Sequence, residues 1–257
     1  RRDPTKCVMC RRCETACNVV QTVGVLSGVN RGFDATVAPE NFKPLIETSC
    51  TFCGQCVMAC PVGSLTEISY KDEVWSAIND PTKHVVVQTA PSVRVALGEE
   101  FNLPAGTITT GKMVAALRRL GFAKVFDTNF SADLTIMEEG TELISRLKTG
   151  RNLPLLTSCC PGWVNFFEHQ FPELLHMPSS AKSPQQMFGS IAKSYYAEKM
   201  GLKPSDIIVV SIMPCLAKKY EAARPEFCHD GVKDVDFVLS TRELASMIKE
   251  AGVMFAS

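Results

Sequence analysis

The distribution of apolar and polar residues divides the chain into two parts. Up to about residue 80, short apolar stretches are interrupted by cysteines and glycines and follow no clear period. Beyond the turn signal Asn79-Asp80-Pro81, apolar runs typical of buried strands alternate with stretches that have helical spacing. This alternation favours an α/β fold with a largely parallel sheet. We therefore predict one domain over residues 1–80 and a second over residues 81–257.

The second part contains a regular series of predicted elements. The predicted strands cover residues 84–89, 124–128, 153–157 and 206–212, and the predicted helices cover 111–120, 132–148, 183–200 and 240–250. Each apolar strand runs into a small, polar or sulfur-bearing loop, and Cys159, Cys160 and Cys215 lie in such loops. Because open α/β sheets bind ligands beyond the carboxyl ends of their strands, these loops predict a site.

Composition narrows the class of protein. The chain has 257 residues, of which 46% are hydrophobic, enough for a substantial core. No apolar run approaches the roughly 18 residues that span a membrane, and no signal peptide opens the chain, so we expect a cytoplasmic protein. The abrupt start at Arg1 suggests a fragment of a longer chain. Five basic residues lie close to the group of cysteines at positions 7–17: Arg1, Arg2, Lys6, Arg11 and Arg12. They predict either a docking patch for a redox partner or local compensation of negative charge held at these cysteines.

Two cysteine runs carry the strongest chemical signal. Each has the spacing C-x2-C-x2-C-x3-C, and Pro61 follows the second run. This pattern resembles that of bacterial two-cluster ferredoxins, which implies an N-terminal α+β module with two 4Fe–4S clusters. In that arrangement the fourth cysteine of each run binds the cluster held by the other run. The first cluster would then be held by Cys7, Cys10, Cys13 and Cys60, and the second by Cys50, Cys53, Cys56 and Cys17.

Two other uses of these cysteines are zinc binding and disulfide formation. A pair of structural zinc sites would favour separated C-x2-C pairs rather than continuous runs. Disulfides are disfavoured because a thiol-rich cytosolic chain keeps such cysteines for metal binding or catalysis.

Several longer segments resemble the signature motifs of FeFe-hydrogenases. They are TSCCPGW (157–163), MPCLAKKYE (213–221), SSAKSPQQMFG (179–189), TAPSVRVALGEEF (89–101) and DVDFVLSTREL (234–244). The resemblance covers nearly the whole chain and implies part of the family's catalytic domain, with its parallel sheet. It also implies an H-cluster, a 4Fe–4S cubane joined to a two-iron unit that carries carbonyl, cyanide and azadithiolate ligands.

The resemblance assigns a role to several residues of these motifs. Cys160 and Cys215 would be ligands of the active-site cubane, and Cys159 would pass a proton to the azadithiolate amine. Lys218 would hydrogen-bond one cyanide, which is electrostatically sensible for a cation beside an anionic ligand. The other residues of the two-iron pocket would be Pro91 and Ser92 at the second cyanide, with Pro184, Gln185 and Met213 as its walls.

A proton path is implied on one predicted helix. Glu139, Glu142 and Arg146 are spaced i, i+3 and i+7, so they share a helix face. On spacing alone, a solvated face with one ion pair is the simpler interpretation. The family resemblance instead implies a relay that runs through Cys159, Glu139, Ser179, Glu142 and Arg146.

The chain departs from the family pattern in one respect. The third signature motif, which supplies two further cubane cysteines, does not appear before Ser257, so we expect this stretch alone to hold an incomplete H-cluster. Cys228 matches no ligand position and is interpreted as a bystander thiol.

The resulting functional hypothesis is reversible oxidation of dihydrogen by an FeFe-hydrogenase. Two 4Fe–4S clusters would relay the electrons to or from a ferredoxin or an NADH-dehydrogenase-like flavin subunit. The alternatives are an electron-transfer or cluster-binding protein without the two-iron unit, and a hydrogen sensor. The presence of Cys159, Lys218, Glu139 and Glu142 disfavours both alternatives.

Overall fold

The chain forms two compact units in a computed structural model that describes residues 1–255. One unit comprises Arg1–Ile68 with Cys160–His176, and the other comprises Ser69–Cys159 with the described residues from Met177 onward. Segment 160–176 therefore groups with the N-terminal residues. One reason is that the buried Asn165 side chain donates a hydrogen bond to the carbonyl of Cys50 at 2.6 Å. A domain boundary near residue 80 stays a prediction.

The helices and strands have the following bounds. The α-helices are α1 (Arg12–Thr15), α2 (Gln55–Ala59), α3 (Lys71–Asn79), α4 (Val93–Ala96), α5 (Thr110–Leu120), α6 (Thr128–Thr149), α7 (Pro161–Gln170), α8 (Pro184–Ile191), α9 (Ala197–Met200), α10 (Ala217–Ala223) and α11 (Thr241–Glu250). The strands are β1 (Ser27–Val29), β2 (Thr36–Ala38), β3 (His84–Thr89), β4 (Lys124–Asp127), β5 (Ile207–Met213), β6 (Cys228–His229), β7 (Val232–Lys233) and β8 (Phe237–Ser240). Among the described helices, none is long and apolar enough to cross a membrane.

The unit that carries the cysteine runs has a very small core. The insertion between the two runs contains an antiparallel pair, β1 with β2, in a register that sets Ser27 opposite Ala38. The buried cluster at its centre consists of Cys13, Leu26, Val37 and Leu65. So few buried apolar residues provide little folding free energy, and bound metal clusters would add to it.

The larger unit is built on a parallel sheet with the strand order β4-β3-β5-β8. Strands β3 and β5 pair over six residues, from His84 opposite Ile207 to Thr89 opposite Ile212. Both strands are almost completely buried, which explains their continuous apolar runs. The predicted α/β fold with a parallel sheet is therefore confirmed.

Several predicted elements agree closely with the structure. The predicted strand 84–89 has the same bounds as β3, and the predicted helix 240–250 corresponds to α11. The predicted helix 183–200 is divided into α8 and α9 by the π-helical turn Ala192–Tyr196. Helix α6 begins before the predicted residue 132 because the Asp127 side chain caps it by accepting a hydrogen bond from Asn129 N.

The prediction of a strand over residues 153–157 is wrong. That segment contributes a single parallel bridge, from Leu156 to Pro178, and the fourth place in the sheet belongs to β8. Pro154 lacks the N–H group that a ladder position requires, which the apolar pattern of the segment conceals. Cys159 and Cys160 therefore follow an irregular segment, whereas Cys215 does follow a sheet strand, β5.

Close packing of α8 gives a testable contrast between two helical glycines. A Cβ at Gly189 would lie 2.6 Å from the carbonyl carbon of Asp234, whereas one at Gly140 would meet nothing within 4 Å. We expect Gly189→Ala to lower the free energy of unfolding by about 1–3 kcal/mol through overpacking. Gly140→Ala should raise it by about 0.4–1 kcal/mol because it restricts the unfolded chain. Urea unfolding followed by circular dichroism measures both changes, and equal effects would contradict the packing argument.

Candidate metal centres and proton path

Four cysteines surround one small cavity in the N-terminal unit. It is lined by Cys7, Cys10, Cys13 and Cys60. Apolar side chains, including Val37 and Leu65, complete the lining. The last cysteine of the second run thus lies beside the first three of the first run. This arrangement fits the crossed ligand set proposed for the first 4Fe–4S cluster.

Backbone amides surround the sulfur of Cys60. Burial raises the pKa of this thiol, but the N–H groups of residues 62–65 outweigh burial, so the pKa is lowered overall. The pKa of Cys7 is also lowered, against the effect of burial, by the amides of Val37 and Met9 and by the Thr36 hydroxyl. Hydrogen-bond donors of this kind stabilise a thiolate, the form that binds iron.

The other four cysteines influence one another electrostatically. The pKa of Cys56 is raised to about 12, mainly by burial and then by the neighbouring thiols of Cys50, Cys53, Cys17 and Cys13. The backbone N–H of Val25 donates to the sulfur of Cys17 at 3.4 Å. Since thiolates crowded together away from water repel one another, bound iron would relieve an unfavourable arrangement of these half-buried cysteines. This set fits the second proposed cluster. Within residues 1–255, no three His, Cys, Asp or Glu side chains have the geometry of a single-ion metal site.

The loops that follow β3 and β5 leave the same edge of the sheet. Because the two strands are parallel and Thr89 lies opposite Ile212, their carboxyl ends are adjacent. The exposed Pro91 and Ser92 follow β3, and the half-buried Cys215 follows β5. This edge brings together residues that the sequence predicted for the two-iron pocket.

The remaining predicted pocket residues are buried to different degrees. Met213 ends β5 and is 4% exposed, and the half-buried Pro184 begins α8. Gln185, the next residue, is 1% exposed, and its Oε1 atom has no hydrogen-bond partner within the described part of the chain. A buried acceptor without a partner fits a site that receives another polar group. Cys159 and Cys160 are both exposed, and Cys160 directly precedes α7.

Lys218 lies at the centre of a small polar network. Its ammonium nitrogen, Nζ, donates to the carbonyl oxygen of Cys159 at 2.8 Å. It also forms an ion pair with Glu221, at 3.0 Å from Oε2 and 3.2 Å from Oε1. Glu221 is the last residue of the segment MPCLAKKYE and is not among the site residues predicted from the sequence.

The outer half of the predicted proton path is directly hydrogen-bonded. The hydroxyl of Ser179 donates to Glu142 Oε2 at 2.7 Å, and Arg146 Nη2 donates to Glu142 Oε1 at 2.6 Å. Burial raises the pKa of Glu142, but hydrogen bonds from Ser179, Arg146 and the amide of Ser180 outweigh it, so the pKa is lowered overall. Arg146 also donates to the carbonyls of Met177 and Pro178 at 2.7 and 2.9 Å, which fixes the guanidinium.

The inner half depends on Glu139, which lies one helical turn before Glu142. Thr157 Oγ1 donates to the Glu139 carboxylate at 3.0 and 3.2 Å, and Ser158 N approaches it at 3.5 Å. In the part of the chain that the structure describes, these bonds hold Glu139 next to the residues that precede Cys159. Thr157 begins the segment TSCCPGW and is not among the site residues predicted from the sequence.

These features define an iron–sulfur protein with a two-cluster module and an α/β domain whose sheet edge gathers thiol, lysine and carboxylate groups. Residues 83–257 match the family model "Iron only hydrogenase large subunit, C-terminal domain", and residues 6–65 match "4Fe-4S dicluster domain". The chain belongs to the iron-only, or FeFe, hydrogenase large-subunit family. The predicted family and cofactors, 4Fe–4S clusters and the H-cluster, are confirmed.

Individual relatives agree with this assignment. The NADP-reducing hydrogenase subunit HndD of Solidesulfovibrio fructosivorans is 62% identical to this chain. The alignment covers 99% of this chain and 45% of HndD. Iron hydrogenase 1 of Clostridium pasteurianum is 49% identical, with 99% and 44% covered. A solved structure of apo FeFe-hydrogenase HydA1 from Chlamydomonas reinhardtii, variant C377H, has a TM-score of 0.69 and 48% identity, with 74% of this chain and 50% of that chain covered.

A different kind of relative is more distant. The cytosolic Fe-S cluster assembly factor narfl of Xenopus tropicalis is 36% identical over 79% of this chain and 45% of its own length. The chain thus spans less than half the length of the curated relatives described here.

The crossed assignment predicts which cysteines act on the same cluster. We expect Cys60→Ser to perturb the cluster that Cys7→Ser perturbs, and Cys17→Ser to perturb the cluster that Cys50→Ser perturbs, because serine is a poor substitute for thiolate at iron. Paramagnetic resonance during a reductive titration distinguishes the clusters, and Cys228→Ser serves as a control that alters neither. If Cys17→Ser and Cys7→Ser altered the same cluster, the crossing would be wrong.

The lowered pKa of Glu142 predicts how its contribution to stability varies with pH. In the folded state the pKa of the Glu142 carboxyl group lies below its ordinary value of 4.5, so the ionised form favours folding. The contribution is therefore fully present above that value and is lost as the pH falls through the lowered folded-state pKa. We expect the difference in urea midpoint between wild type and Glu142→Gln to shrink from about pH 6 to about pH 3. A difference that stays constant over this range would contradict the prediction; Glu138→Gln on the same helix is the matched control.

Proposed function

We propose that this chain is part of the catalytic subunit of an enzyme that oxidises dihydrogen reversibly to protons and electrons. The observation that carries the proposal is the hydrogen-bonded series Ser179–Glu142–Arg146, with Glu139 held beside the segment that ends in Cys159. A chain that only transferred electrons would need no such series of proton-carrying groups. The domain division proposed with it is a cluster module over residues 1–80 and a catalytic part over 81–257.

The proposed ligands follow from the matching motifs. The H-cluster supplies the metal chemistry that interconverts dihydrogen with protons and electrons. Cys160 and Cys215 would hold its cubane as thiolates, while Lys218 would offer an N–H to an anionic ligand. Pro91, Ser92, Pro184, Gln185 and Met213 would shape the pocket for the two-iron unit. The two further cubane cysteines of the family have no counterpart in this sequence.

The chain's own groups account for proton movement. Cys159 Sγ would hold the proton at the inner end of the path and exchange it with the Glu139 carboxylate. The Ser179 hydroxyl both donates and accepts hydrogen bonds, so it can pass a proton towards Glu142. Ser179 and Arg146 together keep Glu142 ionised, so this carboxylate carries no proton between transfers, and the bonds of Arg146 to main-chain carbonyls fix the outer end.

Electrons would travel through the two N-terminal 4Fe–4S clusters. Their proposed ligands are Cys7, Cys10, Cys13 and Cys60 for one, and Cys17, Cys50, Cys53 and Cys56 for the other. A ferredoxin or an NADH-dehydrogenase-like flavin subunit would exchange electrons with them. The name of the 62% identical relative, an NADP-reducing hydrogenase subunit, supports a partner that reacts with a nicotinamide cofactor. We propose a cytoplasmic location for this enzyme.

A second candidate is a cluster-binding protein without hydrogen turnover. It is supported by the 36% identity to a cytosolic Fe-S cluster assembly factor. A hydrogen sensor on the same scaffold is a third possibility. The presence of Cys159, Glu139, Ser179, Glu142 and Arg146 in one chain favours the enzyme over both, and the last three of them are joined by hydrogen bonds.

Infrared spectroscopy and turnover separate these candidates. The full-length protein, matured with its cofactor, should show carbonyl and cyanide bands and should oxidise dihydrogen with a dye as electron acceptor. Clusters without those bands would identify the cluster-binding protein. Bands with negligible turnover would identify the sensor.

Replacing Cys159 tests the proton path. A hydroxyl is a far weaker acid than a thiol, so we expect Cys159→Ser in the full-length enzyme to lower the rate of dihydrogen oxidation by about 10²–10⁴-fold. Iron content and infrared bands should stay at wild-type levels. Cys228→Ser, which alters a half-buried thiol in β6, should retain full activity. A near-wild-type rate in Cys159→Ser would show that this thiol is not the proton carrier.

A further inference from the structure

We infer that Glu221 is a positioning residue, which fixes the Lys218 ammonium group beside the Cys159 main chain and so aims it at an anionic cofactor ligand. The inference rests on the proposed function in that it assigns Lys218 to such a ligand. Its structural part, the dependence of the Lys218 position on Glu221, stands independently.

Glu221 is placed for this task by the geometry of α10. It lies three residues after Lys218, so the two side chains share one face of the helix. Its side chain is 5% exposed and that of Lys218 is 13% exposed. A carboxylate buried to this degree is stable only with a cation and additional donors, and Lys218 supplies the cation.

A second donor ties Glu221 to a different helix. Gln185 Nε2, at the start of α8, donates to Glu221 Oε2 at 2.9 Å and approaches the carbonyl of Lys218 at 3.2 Å. The carbonyl of Gln185 in turn accepts from Gln88 Nε2, in the buried strand β3, at 3.0 Å. The Glu221 carboxylate is therefore held by Gln185 as well as by Lys218, and Gln185 is itself bonded to the sheet, so the position of the carboxylate is fixed.

The direction of the lysine follows from its remaining bond. Lysine has a long flexible side chain and three N–H donors, so an ammonium without fixed partners samples many positions. Here one N–H of the Lys218 ammonium donates to the Cys159 carbonyl at 2.8 Å, and the side of the ammonium that faces Glu221 is bound by the Glu221 carboxylate. When the carboxylate accepts from a single N–H, the third donor is free to meet an anionic ligand. The same bond links the lysine to the main chain of the proposed proton-carrying cysteine.

The test replaces Glu221 with its neutral isostere in the full-length protein. Glu221→Gln keeps the shape but removes the charge, and its amide can turn an NH2 group towards the ammonium. In a crystal structure of the metal-free variant, we expect Lys218 Nζ to lie beyond hydrogen-bond reach of the Cys159 carbonyl oxygen. In the matured variant, we expect a shifted cyanide stretching band. Dihydrogen oxidation should slow roughly tenfold or more, because one charge-assisted hydrogen bond is lost. The exposed Glu198→Gln on α9 is the matched control and should change neither.

Each outcome bears on the inference separately from the proposed function. A wild-type protein without cyanide bands would refute the proposed function, while the crystal structures would still test the positioning. Lys218 unmoved in Glu221→Gln, or a cyanide band at the wild-type position, would overturn the inference. If Glu221→Gln does not fold, Glu221→Asp replaces it. The shorter acid should give a smaller cyanide shift and a partial loss of rate, and an unmoved band would again overturn the inference.

Discussion

The parallel pairing of β3 with β5 is the constraint on which the larger unit depends. Six consecutive residue pairs join two strands that are buried on both faces, so their backbone groups have no access to water and must bond to each other. The pairing brings the carboxyl ends of both strands to one edge. Pro91 and Ser92 follow β3, while Met213 ends β5 and Cys215 follows it. The position of the candidate site is therefore set by the pairing of these two core strands.

Carboxylates that are buried or half-buried, each paired with a cation, form a second level of organisation above the sheet. Glu142 is matched by Arg146, Glu221 by Lys218 and Glu243 by Lys219, with ion-pair distances of 2.6, 3.0 and 2.6 Å. The charged groups of each pair are largely shielded from solvent, so the loss of one partner would leave an uncompensated charge. Glu142 and Glu221 lie in the proposed catalytic machinery or next to it. Ordered charge, rather than apolar packing, therefore shapes the region where protons would move.

The cysteine-bearing unit follows a different principle. Its buried core is small and includes one of its own proposed ligands, Cys13. Thiols such as Cys56 are held at raised pKa by burial and by one another, which disfavours the ionised form without metal. Cluster binding would therefore contribute to folding as well as to electron transfer. In the larger unit, by contrast, the fold stands on an extensive apolar core.

The sequence by itself determined the elements whose cause is local. Apolar runs identified β3 and β5, helical spacing identified α6 and α11, and the cysteine spacing identified the two-cluster module. The motifs likewise indicated the family and most candidate residues. The local pattern gave a wrong prediction at residues 153–157, where an apolar run with a proline resembles a strand. The fourth strand of the sheet is formed by Phe237–Ser240 instead.

Only the tertiary structure decided which distant residues meet. Helix α7 groups with the N-terminal unit, Thr157 holds Glu139, and Gln185 at the start of α8 donates a hydrogen bond to Glu221 on α10. None of these contacts leaves a periodic trace in the chain, because each is a single hydrogen bond or ion pair between elements that pack for other reasons. Their partners are selected by the free-energy penalty of burying an unpaired polar group, and that penalty exists only once the chain has folded.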